Sequence, residues 1–531
     1  MLRNGYLRLL AVGAALAIPA GAGVDAARAQ STRDTRLADA AMRGELAVVR
    51  TLLDQHADVN AVQGDGMSAL HWAAQRDDLA LARLLLSSGA DPKAVTRIGG
   101  ITPLLLAATN GDGPLVDALI TAGADPNGAK TNGTTPLMLA AAAASADTVA
   151  MLLDRGAAID AREHQNGQTA LMFAAAENGA AAITVLAKRG ADVNAASKAV
   201  SLADKPRYDD DGRLIPRPSP EQVKRTGRGA LSAMGGMTAL HYAARQGHMD
   251  AVRALVAGGA DVNRVSADKT SPMLIATSNG HFDIARLLLE RGANPNLADE
   301  SGLAPLYAAV DAEWAPLGWA PNPITAQEQT THVELMRLLL EKGANPNARL
   351  TKKLWFRSLT HDQHWVTTAG ATAFWRAAEA SDTPAMRTLV AGGADPSLAT
   401  IHGTTPLMAA AGVGWGANFH RNMPGGWLEA ATYCLEVGND VNAIDQNNFT
   451  AIHGAAYRGD IDMMKLFIAR GARLDVKSKF GYPTDMANGP KVNAHLPIEQ
   501  PEAMKLLLDA GAPPPVMPKP GQTTADAPKR D

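Results

Sequence analysis

Apolar and polar positions follow one recurring pattern along this chain. Residues 269–296, KTSPMLIATSNGHFDIARLLLERGANPN, are one copy of it, and residues 236–263 are another. The second half of the copy places Ile284, Leu287 and Leu288 on one helical face, while its first half also has apolar residues at helical spacing. The pattern therefore predicts a series of short helix–turn–helix units.

Two series of residues give the pattern a period of mostly 33 or 34 residues. A serine or threonine opens the first helix at Ser68, Thr102, Thr135, Thr169, Thr238, Ser271, Thr372, Thr405 and Thr450, with Ala304 and Pro483 in weaker copies. A glycine ends the second helix at Gly89, Gly123, Gly156, Gly190, Gly259, Gly292, Gly343, Gly393, Gly438, Gly471 and Gly511. A fixed period of this length indicates a stacked repeat array.

Each recurring residue has a physical role in the predicted helices. The Ser or Thr hydroxyl caps a helix by accepting from a backbone N–H, and the proline of Thr102-Pro103 lacks an N–H that would be unpaired there. Paired alanines keep the first helix thin. The Gly-Ala-Asp/Asn after the second helix predicts a turn into an extended, hairpin-like finger. Glycines are also predicted to end the first helices, at Gly111, Gly179, Gly247, Gly280 and Gly459.

These residues closely resemble the ankyrin repeat. The matching letters are TALH at 238–241, AA at 243–244, GH at 247–248 and GADVN at 259–263. The resemblance covers roughly residues 34–513 and implies an all-α repeat fold, an ankyrin solenoid of about twelve helix–turn–helix units with hairpin fingers and four insertions. It also implies that the first helices and the fingers form the contact surface. The histidines that it assigns to structural hydrogen bonds are His71, His241 and His453.

The predicted array occupies residues 30–513 and is followed by a tail. The first unit places polar residues such as Asp39 where a neighbour's contact face would otherwise be expected, which is typical of a capping repeat. Residues 514–531 are rich in proline and polar residues and are predicted to be disordered. The four insertions fall at 198–234, 312–330, 350–369 and 414–427.

Tryptophan is concentrated in the second half of the chain. Seven of the eight tryptophans fall between positions 314 and 427, and six of these lie in insertions. Aromatic side chains dominate many interfaces, so the insertions are candidate binding surfaces. Packing of these aromatics back onto the helices is the alternative, and the two are not exclusive. Trp375 takes the place of the repeat's histidine and is assigned to the scaffold. The candidate binding residues are Trp314, Trp319, Trp355, Phe356, Trp365, Trp415, Phe419 and Trp427.

Composition narrows the chemistry that the chain can support. The net charge of −3 gives no basic footprint for nucleic acid, and aromatics at 4% leave alanine and leucine to fill the core. The single cysteine, Cys434, excludes an intrachain disulfide and is assigned to the core. The pair His361 and His364 lacks further ligands for a metal site. The chain is therefore predicted to be a non-enzyme that holds no metal or cofactor.

Residues 1–29 predict a cleaved secretory signal peptide. Arg3 and Arg8 begin it, the apolar run LLAVGAALAI follows at 9–18, and Ala27-Arg28-Ala29 supplies a small-residue cleavage site. The run is too short to span a bilayer, and no later stretch is long and apolar enough. The predicted product is a monomeric periplasmic or secreted protein of a bacterium, which acts as a scaffold that binds a protein or peptide.

Two other functions stay open at this point. The Trp-rich insertions are also suited to form the pocket of a small-molecule receptor or an enzyme, and a large change in tryptophan fluorescence on adding a soluble ligand would favour that alternative. An effector secreted toward a host is the third hypothesis. The fold alone does not decide among them.

Overall fold

Paired helices stack along the whole described part of the chain. The computed structural model describes residues 34–202, 231–315, 323–354, 366–416, 420–490 and 498–516. Within them, 24 helices form twelve units in chain order, each with a first and a second helix. First helices pack against first helices of the neighbouring units, and second helices pack against second helices, so the array has two layers. The predicted all-α repeat solenoid is confirmed.

The second helices are nine or ten residues long in every unit, and the first helices are five to nine residues long. The first helices of units 1 to 12 are Arg36–Arg43, Ala69–Gln75, Pro103–Asn110, Pro136–Ala142, Ala170–Ala176, Ala239–Gln246, Pro272–Ser278, Pro305–Glu313, Ala373–Glu379, Pro406–Ala411, Ala451–Arg458 and Pro483–Ala487. The second helices are Leu46–Asp54, Leu79–Ser87, Gly113–Thr121, Ala146–Asp154, Ala180–Lys188, Met249–Ala257, Phe282–Glu290, His332–Glu341, Thr383–Ala391, Trp427–Glu436, Ile461–Ala469 and Pro501–Asp509. Thr325–Gln327 form a 3-10 turn, and the strands Val200–Ser201 and Ala233–Met234 pair antiparallel.

Local chemistry sets the helix ends. The hydroxyls of Ser68, Thr102 and Ser271 accept from the backbone N–H three residues further on. All eleven glycines predicted to end second helices have positive φ, between 79° and 105°. After the first helix of unit 5, however, Asn178 takes the left-handed conformation (φ 57°), and Gly179 has φ −77°. The prediction for Gly179 is therefore wrong by one residue, because asparagine also tolerates this conformation.

A buried histidine in the first helix ties a unit to the next one. His241 is fully buried; its Nδ1 accepts from the Thr238 backbone N–H at 3.2 Å, and its Nε2 donates to the Thr270 carbonyl oxygen at 3.0 Å. His71 and His453 make the same pair of contacts. Burial lowers the pKa of His241 and of His453 to about 4, so both rings are neutral at neutral pH. The predicted structural role of these histidines is confirmed.

Unit 9 makes the same connection with a tryptophan. Trp375 is fully buried, and its Nε1 donates to the Thr404 carbonyl oxygen of unit 10 at 3.0 Å. The Thr372 hydroxyl caps the helix by accepting from the Trp375 backbone N–H at 3.2 Å. The indole N–H thus replaces the imidazole Nε2–H, and the assignment of Trp375 to the scaffold is confirmed.

Backbone hydrogen bonds join the fingers into a ladder that continues past the insertions. On either side of the 198–234 insertion, the Lys198 N–H donates to the Asn166 carbonyl oxygen at 2.6 Å, and the Ala267 N–H donates to the Gly235 carbonyl oxygen at 2.9 Å. The insertions therefore leave the stacking register of the units unchanged. The other backbone hydrogen bonds of the ladder, each given as the N–H donor and then the C=O acceptor, are Arg97 to Asp65, Thr131 to Gly99, His164 to Asn132, Glu300 to Asp268, Thr351 to Ser301, Ile401 to Ala369, Gln446 to His402 and Lys479 to Asn447.

An asparagine side chain links many units at the turn after the second helix. The Asn263 Nδ2 donates to the Gly292 carbonyl oxygen at 3.1 Å, and its Oδ1 accepts from the Asn294 backbone N–H at 2.7 Å. This residue is the last letter of GADVN, and sequence analysis gave it no role beyond the turn. The same two bonds are made by Asn60, Asn127, Asn296, Asn347 and Asn442.

Glu300 joins the bases of two insertions. Its carboxylate accepts from the Ser232 backbone N–H at 2.9 Å and lies 3.0 Å from the Lys352 Nζ. Ser232 belongs to the 198–234 insertion and Lys352 to the 350–369 insertion, so both are anchored on one finger. Among the described residues, no helix is long and apolar enough to cross a membrane.

Candidate binding surface

Within the part of the chain that the structure describes, the outer side of the first-helix layer is open along units 2 to 7. We call it the first-helix face and define it by the fourth and seventh residues of each first helix. In units 2 to 7 the seventh residue is exposed or half-exposed, and the fourth is bulky, apolar and half-buried. The apolar row consists of Trp72, Leu106, Leu139, Phe173, Tyr242 and Ile275. These side chains rest on the core and leave part of their apolar surface in water.

The same face is closed in units 8 to 11. There the first helices of units 9, 10 and 11 are buried along their whole length, and in unit 8 only the last helical residue, Glu313, is more than marginally exposed. The change coincides with the insertions between the two helices of units 8 and 10. The fourth residues of these four units are Ala308, Arg376, Ala409 and Gly454, all buried.

A buried ion cluster occupies the closed part of the face at unit 9. Arg376, which is 5% exposed, donates from Nε to the Asp311 Oδ1 at 3.0 Å and from Nη2 to the Trp314 carbonyl oxygen at 2.7 Å. Its Nη1 lies 3.5 Å from the Glu379 Oε2. Burial alone lowers the pKa of Arg376, but the two carboxylates outweigh it and raise that pKa. The guanidinium therefore stays charged and holds units 8 and 9 together.

Trp314 lies in a second cluster beside the first. Its Nε1 donates to the Asp382 Oδ2 at 2.7 Å, and its ring meets His332 edge to face with 6.4 Å between centroids. The His332 Nε2 lies 2.6 Å from the same carboxylate oxygen, and its Nδ1 lies 3.7 Å from the Glu313 Oε2. Burial raises the pKa of Asp382, but its bonds to His332 and Trp314 outweigh burial and lower that pKa. Trp314 thus fastens the start of the unit 8 insertion to unit 9.

Trp415 and Trp427 pack around one arginine. Their rings meet edge to face at 5.8 Å, and the Arg458 guanidinium carbon lies 5.1 Å from the Trp415 ring centroid and 4.0 Å from that of Trp427. The Arg458 Nη1 donates to the Ala410 carbonyl oxygen at 3.1 Å, and burial lowers the pKa of Arg458 to about 9. Trp427 is the first residue of the second helix of unit 10 rather than the end of the insertion before it. Both tryptophans are half-buried against the helices.

Three of the eight candidate binding residues can therefore be placed, and all three pack on the closed part of the array. Their packing agrees with the alternative in which the insertions fold back, and it leaves part of each ring exposed. The involvement of the other five in binding stays a prediction, because they lie outside the described residues, as do His361 and His364. The five are Trp319, Trp355, Phe356, Trp365 and Phe419.

Sequence reasoning did not single out the open apolar row. The signal was nevertheless present at the fourth residue of the first helix. That position is bulky and apolar in six consecutive copies and then changes to Ala, Arg, Ala and Gly in the next four. A residue that stays large and apolar on one face, copy after copy, indicates a surface that contacts something.

The buried titratable side chains described above are engaged in hydrogen bonds and ion pairs that join units. Cys434 is fully buried, and burial raises the pKa of its thiol. Within the described ranges, no group of three or more His, Cys, Asp or Glu side chains is placed to hold a metal ion. The open part of the first-helix face offers apolar surface with polar flanks, which is suited to cover apolar side chains of another molecule.

Comparison with known proteins points to one family. A family model described as ankyrin repeats (3 copies) matches residues 104–197, 219–299 and 240–350, and a model described as ankyrin repeats (many copies) matches residues 37–86, 70–120 and 419–468. Among solved structures, the crystal structure of the human ASB11 ankyrin repeat domain is similar, with 25% sequence identity, a TM-score of 0.38, and coverage of 49% of this chain and 98% of that chain. No curated protein matches the chain.

Proposed function

Since the chain belongs to the ankyrin-repeat family, whose repeats are typically protein-binding scaffolds, we propose that it is a non-catalytic scaffold that binds a protein or peptide. In a stack of this kind each unit contacts only its neighbours, so added units extend the surface without requiring one larger core. The proposal therefore assigns the function to a surface rather than to a single pocket.

The open first-helix face of units 2 to 7 carries this proposal. Six half-buried apolar side chains in a row are more than the fold requires, since units 8 to 11 stack equally well with small or fully buried residues at the same position. A continuous apolar row left in water marks an interaction surface. The Trp-rich insertions are a second candidate contact, to be distinguished by experiment.

The structural use of the titratable residues supports a non-catalytic role. His71, His241 and His453 are each consumed by hydrogen bonds that join units, and the Arg376 cluster is buried. A catalytic histidine would need a free nitrogen and access to substrate. None of these three rings offers both.

We also propose that the protein is exported from the cytoplasm of a bacterium and is periplasmic or secreted. The support is the signal-peptide pattern of residues 1–29, with its basic start, apolar run and Ala-Arg-Ala site. N-terminal sequencing of the natural protein should begin at or near Gln30. A cytosolic protein that begins at Met1 would contradict export.

Affinity capture tests the scaffold proposal. The full-length chain, immobilised, should retain a specific protein from the envelope fraction of its own cells, and Phe173→Ser should reduce the retained amount because it removes apolar surface at the centre of the row. Leu508→Ser is the matched control, since Leu508 is 44% exposed on the second helix of unit 12 and away from the row and the fingers. Equal loss with both substitutions, or no specific partner at all, would count against the proposal.

A further inference from the structure

The chemistry of the open face narrows the kind of partner. We propose that the first-helix face of units 2 to 7 binds an amphipathic helix whose apolar side is flanked by lysine or arginine along one edge. This inference rests on the proposed scaffold function and adds the partner's class to it.

The apolar row sets the spacing of the partner's apolar residues. Packed helix layers lie about 10 Å apart, and a helix that runs along the row rises 1.5 Å per residue, so it advances about seven residues per unit. One apolar residue per heptad then meets each of Leu106, Leu139 and Phe173 in turn. A partner helix of about 28 residues would cover four units.

The partner is helical rather than extended because of its own backbone. The backbone groups in the middle of the first helices are already paired within those helices. An extended peptide on this row would leave its N–H and C=O groups unpaired where it displaces water, whereas a helix satisfies its backbone internally. The row also lacks the exposed strand edge that an extended peptide needs for pairing.

An acidic edge runs beside the apolar row, where the first helices end and the second helices begin. It carries one or more exposed or half-exposed carboxylates in each of units 2 to 6. Two arginines lie near its ends and are already engaged: the Arg76 Nη1 donates to the Met42 carbonyl oxygen at 3.3 Å, and the Arg245 guanidinium lies 5.4 Å from the Tyr242 ring centroid. The edge is therefore a negative strip, formed by Asp77, Asp112, Asp147, Glu177 and Asp250.

Two of these carboxylates already repel each other. Burial and a hydrogen bond with the Asp112 side chain raise the pKa of Asp77 to about 6. An ammonium or guanidinium group placed over the pair would favour the doubly ionised state. Affinity for a basic helix should therefore rise as the pH is raised through about 6, since Asp77 then carries its charge.

The two longest undescribed segments after the proposed signal peptide do not match this surface. Residues 203–230 come between units 5 and 6 in the sequence and contain Pro206, Pro216, Pro218 and Pro220, a composition that disfavours a helix long enough to cross the row. Residues 517–531 follow unit 12 and are polar and rich in proline. The occupant is therefore assigned to another protein.

Synthetic helices test the inference with the full-length chain. The probe is a 28-residue helical peptide with leucine at heptad positions and lysine along one edge, and its matched control has glutamate in place of each lysine. Fluorescence anisotropy should show at least tenfold tighter binding of the lysine peptide at physiological salt, and the difference should shrink at high salt. Equal affinity for the two peptides would overturn the assignment of a basic helix.

Variants locate the bound peptide. Leu139→Ser combined with Phe173→Ser should weaken binding of the lysine peptide at least tenfold, while Leu508→Ser, on the second helix of unit 12, should leave its affinity unchanged. If the double variant fails to fold, Asp147→Asn combined with Glu177→Gln replaces it and should weaken binding of the lysine peptide at least threefold. Its control is Asp54→Asn, which removes an exposed carboxylate on the second helix of unit 1 and should leave binding unchanged. Binding that is altered neither by the variants of the apolar row nor by those of the acidic edge would overturn the inference.

A random peptide library, selected on the same chain, distinguishes this inference from the scaffold function. Selected peptides that form basic amphipathic helices and protect the first helices of units 3 to 6 from hydrogen exchange would support the inference. Peptides of other chemistry that protect the fingers or the flanks of the insertions would overturn it and leave the scaffold function standing. A library that yields no ligand would contradict the scaffold function itself.

Discussion

The buried histidine between units 6 and 7 allows the contribution of one inter-unit link to be measured. His241→Leu keeps a side chain of similar size but removes the acceptor for the Thr238 N–H and the donor to the Thr270 carbonyl. The Thr238 N–H, in a residue that is 1% exposed, would be left unpaired at a cost of about 1–3 kcal/mol. The half-buried Thr270 carbonyl oxygen would lose one hydrogen bond, worth about 1 kcal/mol, but keep the one from the Ser266 N–H at 2.9 Å. We therefore predict a loss of about 2–4 kcal/mol in the free energy of unfolding at neutral pH.

The pKa of the same ring adds a pH signature to this prediction. The pKa of His241 is lowered to about 4 in the folded protein, from 6.5 as its ordinary value. Between these two values the unfolded chain binds more protons, so the folded state loses stability as the pH falls from about 6.5 to about 4. The His241→Leu protein lacks this titration. The difference in the free energy of unfolding between the natural protein and His241→Leu should therefore narrow by about 2–3 kcal/mol as the pH falls from 7.5 to 4.5.

Urea unfolding at both pH values, followed by circular dichroism, measures the two effects. Native-state hydrogen exchange in units 6 and 7 reports them locally, since a repeat array can open unit by unit. His248→Leu is the matched control: the His248 ring is half-exposed and contacts the Ala175 carbonyl oxygen at 3.2 Å, so its loss should cost about 1 kcal/mol. A cost of His241→Leu no larger than that of the control, or a difference that does not change with pH, would refute the reasoning.

Three further predictions concern other contacts. Asn263→Ala removes both hydrogen bonds of the side-chain amide that joins two units and should lower the free energy of unfolding by about 1–2 kcal/mol. Asn263→Asp keeps the acceptor and should cost less. Thermal unfolding that ranks the two variants the other way would contradict the role of this amide. Arg376→Met removes the guanidinium that two buried carboxylates share and should cost about 3–5 kcal/mol, part of which Asp311→Asn should restore. Simple additivity in a double-mutant cycle would argue against the cluster. Cys434 should resist alkylation until the chain is denatured, and rapid labelling of the folded protein would show that its helix does not pack as described.

The units themselves could be predicted from the sequence because their determinants are local. A cap such as Thr102, a terminal glycine such as Gly259 and a histidine such as His241 each act within one copy or on the next, at a fixed spacing. Their recurrence therefore specifies both the helices and the stacking. The error at Gly179 has the same local origin, since the neighbouring Asn178 also adopts the left-handed conformation that ends a first helix.

The division of the first-helix face could not be predicted in the same way. The closed part depends on side chains far apart in the chain: Arg376 meets Asp311 across 65 positions, and Trp314 meets Asp382 across 68. The period of the repeat places the helices of units 8 and 9 side by side, but it does not specify these pairs, because Arg376 and Trp314 differ from the residues of the other copies. The concentration of tryptophan drew attention to units 8 to 11, and a binding role for the insertions there stays a prediction. Burial was needed to show that Trp314, Trp415 and Trp427 pack onto the helices there.

Hydrogen exchange of the full-length chain, alone and with its captured protein partner, tests the central claim most directly. If the open first-helix face of units 2 to 7 is the binding surface, the partner should slow exchange in the first helices of these units, from Ala69–Gln75 to Pro272–Ser278. The second helices of the same units should change little, since they lie in the other layer. Protection confined to the second helices, or to the helices of units 8 to 11, would contradict the account.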